Sequence, residues 1–251
     1  MARSGRRRLL VWLTAGLAAI VVAVVGGTYL YIHVIEGPAP APLSLPGKAT
    51  SSAASAAPGT SSSASPSASP STATTTDSAL SGTWQVQSGS QVGYRVNEVL
   101  AGQNNVAVGR TSTISGSMTI QGKQVTAATF TVQMATIKSD ESERDAQFNG
   151  RIMDTSVYPT GVLKLTSPVA LGTLPAAGVI KSYTATADLT MHGRTRQVTF
   201  TLKAERVGAS IEVNGSIPIL FADWNIANPS FAGFVTTENH GLLEFLIKLG
   251  K

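Results

Sequence analysis

From Trp84 to Lys251 apolar and polar side chains alternate in one run after another. Val92, Tyr94 and Val96 share a parity, as do Phe130, Val132 and Met134, then Leu163 and Leu165. The pattern returns in Tyr183 to Leu189 and Met191, in Val198, Phe200 and Leu202, in Ile211 to Ile219 and Phe221, and in Leu243 to Leu249. Successive side chains of an extended chain point to opposite faces, so such alternation builds strands with one dry face and one wet face. Glycines at 109, 116, 122, 193, 208 and 215 supply turns or bulges between and within the runs. One window departs from the pattern, "SDESERDAQFNGRIMD" at 139–154, which opens with Ser139, Asp140 and an acidic first turn, as a short helix does. The reading is all-β, about eight antiparallel strands with one short helix, in a single domain over 82–251. Alternation identifies the dry face; whether the space behind it is filled or hollow stays open.

Two other segments precede that domain. Arg3, Arg6, Arg7 and Arg8 stand before Leu9 to Ile35, a run with no acidic or basic residue except the usually neutral His33. The run exceeds the roughly 20 residues that cross a hydrocarbon core, and the basic residues before it place the N-terminus in the cytoplasm. Residues 1–35 are therefore expected to be a cytoplasmic stub with a transmembrane helix, and the chain beyond residue 35 to be extracytoplasmic. A cleaved signal peptide is the competing reading, against which stands the length of the run. Residues 36–81, including "SSAASAAPGTSSSASPSASPSTATTT", hold almost no large side chains and are expected to be a disordered tether. A flexible coil of that length would reach on the order of 35–40 Å.

Charge and composition narrow the function. The net charge is +5, but most of the excess sits in the N-terminal arginines; residues 82–251 carry 14 basic and 12 acidic side chains, which gives no basic face for nucleic acid. Without cysteine there are no disulfides, no thiolate metal sites and no lipidated thiol. The chain lacks H-E-x-x-H, G-x-S-x-G and phosphate-loop motifs, and has only three histidines. His192 and Gly193 have the chemistry of a hairpin turn. The acidic cluster at Asp140, Glu141, Glu143 and Asp145 suits a solvated helix start better than acid–base chemistry. No catalysis, metal or cofactor is expected.

Several stretches together resemble the YceI-like family, the polyisoprenoid-binding, lipocalin-like β-barrels of bacterial envelopes. They are Gly82 to Trp84, Ser90 to Val96, Ser139 to Asp145 with Tyr158 and Pro159, Ala187 to Gly193, and Asp223 to Ser230. Two positions depart: many members have a histidine shortly after the valine at 96, where this chain has Asn97 and Glu98, and many have an aromatic residue after the Tyr-Pro turn, where it has Leu163. The resemblance implies an antiparallel barrel around an apolar tunnel that takes up a quinone, carotenoid or polyprenyl lipid. Its wall would then include Tyr94, Phe130, Val132, Met134, Leu163 and Leu165, followed by Leu189, Met191, Phe200, Leu202, Phe221 and Trp224. Arg144, Asp145 and Tyr158 would serve a head group or a lid, and for Arg144 and Asp145 an ion pair that caps the helix or fixes the lid is the favoured reading. The expected role is storage, shielding or transfer of the lipid at the cell membrane. A packed structural or interaction domain, and an envelope enzyme acting on a lipid, are the alternatives.

Overall fold

The computed structural model describes residues 80–251 apart from 101, 175 and 232, the segment 39–45, and residues 16, 20, 22, 23, 26 and 27. The expected membrane run at 9–35 and most of the expected tether lie outside the described residues. Among the described residues no helix is long and apolar enough to cross a membrane.

The alternating runs become strands. In chain order these are β1 (Gly82–Val86), β2 (Gln91–Leu100), β3 (Gln103–Thr111), β4 (Ile114–Gln121), β5 (Gln124–Gln133), β6 (Thr160–Leu165), β7 (Val169–Ala170), β8 (Lys181–Met191), β9 (Arg194–Val207), β10 (Ser210–Leu220), β11 (Val235–Thr237) and β12 (His240–Gly250). Every pairing is antiparallel, and eight strands close a ring in the order β1, β4, β5, β6, β8, β9, β10, β12 and back to β1. Closure removes the free edges that an open sheet would offer to other chains. β2 pairs with the first half of β12 and, with β3 and β11, carries the sheet past the rim of the ring at one end, called here the mouth end. A register shift opposite Thr119 and Ile120 leaves Thr126 of β5 as the extra residue of a bulge, and β5 bends there.

The β8–β9 hairpin fixes register by its turn. His192 (φ 47°) and Gly193 (φ 71°) both take positive φ, the two-residue geometry whose twist matches the strands it joins. Glycine is required at 193 twice over, since a Cβ there would also meet the Tyr158 ring at 2.7 Å. The helix falls inside the expected window: α1 (Ser142–Gln147) continues into a π-helical turn, Phe148–Ile152. Its cap residue is Glu141 and not the expected Ser139 or Asp140. Those two brace the start from outside: Ser139 donates through N and Oγ to Asp145 Oδ1 at 2.8 and 2.9 Å, and Asp140 pairs with Arg144 one turn on.

Seven residues of the expected tether are described, and they are not free. Residues 39–45 lie extended on the outer wall of the barrel, where Arg95 donates to Pro40 O, Arg110 to Ala41 O, and Asn214 Nδ2 to Leu43 O at 2.8 Å. Composition alone hides this. Side chains outside the segment supply all three donors, and the proline-rich chain brings little ordering entropy to lose.

A hollow interior with one polar end

The inward faces of the ring enclose a cavity of about 320 Å³, in the range of small-ligand sites. Its wall is aliphatic and aromatic over most of its length, so the interior that the alternation left undecided is hollow. Of the side chains named from sequence, Tyr94, Phe130, Val132, Met134, Leu163 and Leu165 line it, together with Leu189, Met191, Phe200, Leu202 and Phe221. Phe200 meets Phe245 edge to face at 5.9 Å, a preferred aromatic arrangement that fixes the rotamers of both.

The barrel's two ends differ. At the end away from the mouth, Leu80, Trp84, Ile120 and Leu249 pack with almost no exposure, and Trp84 Nε1 donates to Leu80 O at 2.9 Å. At the mouth end α1 and its continuation lie across the opening. Phe148 stacks on Tyr94 with centroids 5.2 Å apart, and Ile152 and Met153 complete the apolar underside. Tyr94 in turn lies over Gly109 on the neighbouring strand, where a Cβ would come within 2.4 Å of the ring. Arg151 Nη2 ties this cover to the loop after β10 by donating to Pro229 O at 3.0 Å.

Polar groups reach the cavity mainly at the mouth. Arg144 pairs with Glu98 Oε1 at 3.3 Å, and Asn105 Nδ2 donates to the same oxygen at 2.9 Å. Burial pushes the pKa of the Tyr94 hydroxyl up, against the opposing pull of the Arg144 guanidinium, so Tyr94 is a neutral donor at physiological pH. Thr237 stands opposite Glu98 on the adjoining strand, and its Oγ1 is buried without a hydrogen-bond partner. An orphaned buried hydroxyl costs free energy unless a ligand or water satisfies it.

Other residues named from sequence stand elsewhere. Trp224 is buried but is not part of the cavity wall; its Nε1 donates to Leu189 O at 3.3 Å, pinning the turn after β10 to β8. Asp145 spends its carboxylate on Ser139 and Lys138 and does not face the cavity. Tyr158 packs edge-on against His192 at 4.8 Å, supporting the hairpin turn, and is also outside the wall. Trp224 and Asp145 use their polar atoms, and Tyr158 its ring, to fix local structure, a demand that spacing in sequence does not reveal. Conversely, Phe148 and Ile152 on the helical turn line the cavity though strand alternation does not point to them. Their i, i+4 spacing was the available signal. Among the described residues no cluster of three metal-ligating side chains forms.

The YceI-like domain model matches residues 84–249, which spans the whole ring. Among solved structures, a polyisoprenoid-binding domain from Saccharophagus degradans implicated in plant cell wall breakdown superposes with a TM-score of 0.54 at 14% identity, covering 67% of this chain and 97% of that one. BcnA of Burkholderia cenocepacia gives 0.51 at 20% identity, covering 65% and 98%. At these identities the likeness is one of fold. No curated protein matches the chain in sequence. The match to the domain model over most of the chain, on a closed barrel with an apolar interior, makes this protein a member of the YceI-like family.

Proposed function

We propose that the barrel binds one isoprenoid-type lipid, a quinone, carotenoid or polyprenyl lipid, with the tail in the cavity and the polar head at the mouth, and that it performs no chemistry on it. The observation that carries this reading is a cavity that is apolar along most of its length, with Glu205 and Arg206 near the far end and the Tyr94 hydroxyl, Glu98, Arg144 and Thr237 gathered at the mouth. A thin hydrocarbon tail would be held by burial alone, at about 25 cal/mol per Å² removed from water. Tyr94 and Arg144 offer donors to a carbonyl or phosphate oxygen, and Thr237 offers the hydroxyl that lacks a partner. Support from relatives is a family-level match and a structural neighbour described as polyisoprenoid-binding.

The four N-terminal arginines followed by the long apolar run further support a single-pass protein of the cell membrane with the barrel outside, where the role would be storage, shielding or transfer of the lipid. Organic extraction and mass spectrometry of the purified protein test the binding reading. A co-purifying lipid with an isoprenoid tail is expected; a protein that neither carries nor takes up any such lipid refutes it.

A further inference from the structure

The outer wall of β3, β2, β12 and β10 carries an arrangement that lipid binding inside the barrel does not need. Glu244 points outward between inward Leu243 and Phe245, yet is buried. It accepts from Arg95 Nε at 2.9 Å and pairs with Arg110 Nη2 at 3.4 Å. Both arginines also donate to the backbone of the segment at 39–45, at Pro40 O and Ala41 O. Glu244 thus holds two guanidinium groups in place to grip an extended, proline-rich chain by its carbonyls, which such a chain leaves unpaired. Asn214 adds the third grip at Leu43 O.

The direction of the segment sets the consequence. Arg95 stands opposite Leu242 near the start of β12, whereas Asn214 stands opposite Leu246, farther from the mouth. The chain therefore arrives from the mouth end. Four residue steps separate Ala39 from Ile35, roughly 14 Å at full stretch. That same end presents Phe231 and Phe234 at 57% and 63% exposure, with Val157 at 60% and Leu220 at 52%. Phe231 and Phe234 precede β11, which pairs with the end of β2, and Leu220 ends β10. Among the described residues the opposite end exposes Val179, Ile180 and Val207 at 40–49% but no phenylalanine. Exposed aromatic rings set among aliphatic side chains at one end mark a surface that meets a partner, and the direction of the strap says which partner is within reach.

We infer that residues 39–45 are a strap that holds the barrel with its mouth end, Phe231 and Phe234 foremost, on the surface of the bilayer from which the N-terminal segment emerges. This rests on the membrane-anchored reading. Leu45 and Leu80, the described residues on either side of the low-complexity stretch, then both sit on the barrel, Leu80 buried beneath Trp84 at the far end. The lipid port faces its lipid source directly.

The chain has no cysteine, so single labelling sites are clean. Full-length protein in phosphatidylcholine and phosphatidylglycerol liposomes, carrying an environment-sensitive fluorophore at Val157→Cys or at Ala209→Cys in the β9–β10 turn of the opposite end, is exposed to lipid spin-labelled near the head group. Quenching several-fold stronger at 157 than at 209 is expected. Replacing 39–45 by glycine and serine of equal length should bring the two sites close to equal while the protein stays with the liposomes. Equal quenching in the parent, stronger quenching at 209, or a preference that survives strap replacement overturns the inference. A spin pair at Ser44→Cys and Ser216→Cys reads the strap without membranes: one short, narrow distance is expected, and a broad distribution of tens of ångströms overturns the docking. Protein that stays out of the liposomes while the spin pair remains short overturns the inference through the anchor and leaves the strap standing.

Discussion

The two ends of the barrel are closed by different means. The far end is sealed as protein interiors are, by Trp84, Leu80 and Leu249 packed against one another with a satisfied indole N–H. The mouth end is closed by a helix of fewer than two turns and a loop, held on by the stack of Phe148 on Tyr94, the bond of Arg151 to Pro229 and a few charged contacts. A closure made of a few tertiary contacts opens at lower free-energy cost than one built into the strands. The far end is therefore a floor and the mouth end a cover, and polar groups are found where a head group would pass.

The largest effect should come from breaking the floor. Trp84→Ala removes a buried aromatic that helps fix the β1–β12 closure, and large-to-small changes of this size cost about 3–5 kcal/mol. Denaturant unfolding of delipidated protein should show a loss in that range. A loss below about 1 kcal/mol, no more than a surface change brings, would mean that the floor is not structurally distinct from the cover.

Phe148→Ala is the matching change at the cover. Phe148 is buried, but one side of it faces the cavity, so less protein packing is lost and the cost should be about 1–2 kcal/mol, below the usual range for a fully packed phenylalanine. Its main effect should be kinetic: a preloaded fluorescent isoprenoid should leave the variant faster than the parent, whereas Trp84→Ala should leave the release rate nearer that of the parent. Faster release from the Trp84 variant alone would reverse the assignment of floor and cover.

The difference between the ends also marks how far the sequence can be read. β8, β9, β10 and β12 are legible because their inward faces are apolar over most of their length and their outward faces mostly polar. β3 is not, because Val106 and Val108 point outward, Val108 is buried beside Arg95 where the strap crosses, and Ala107 and Gly109 point inward. A wall covered on its outer face loses the alternation that betrays a strand. The cavity wall was legible residue by residue once a barrel was assumed, since inward parity is all that membership requires. The polar mouth was legible only at Arg144; Glu98 and Thr237 become neighbours through the β2–β11 pairing, which no local pattern encodes. Likewise the strap is invisible from composition, as its partners lie more than fifty residues away.

Tyr94 sharpens the comparison through pH. Its folded-state pKa is raised above the ordinary value of 10.0, chiefly by burial, so the neutral hydroxyl is the form the fold favours. The corresponding stability is fully present below about pH 10 and is lost as pH rises through the folded value. Tyr183, also raised by burial, adds a contribution of the same sign. Tyr94→Phe should therefore flatten the alkaline limb of the stability curve while changing neutral-pH stability by no more than about 1 kcal/mol, because the ring still stacks on Phe148. An unchanged alkaline limb would show that Tyr94 is not buried beneath the cover.

The last contrast between the two ends lies in their charges. Arg144 pairs with Asp140, which is 44% exposed and partly screened by water, and with Glu98, whose side chain is largely buried and would keep only the Asn105 donor, so Arg144→Ala should cost about 1–3 kcal/mol. At the far end Lys251 lies over the Trp84 ring at 5.1 Å and gives a matched cation to remove. If the mouth is where the head group rests, the two variants should differ in which ligand they bind, whatever each costs in unfolding. Arg144→Ala should weaken retention of an isoprenoid with a phosphate or carbonyl head while leaving a purely hydrocarbon isoprenoid unaffected, whereas Lys251→Ala should change neither. Isothermal titration with the two ligand types on delipidated protein separates these outcomes. Equal weakening of both ligands by Arg144→Ala would mean that the arginine acts only by holding the cover in place, and the polar end of the cavity would then serve closure and not recognition.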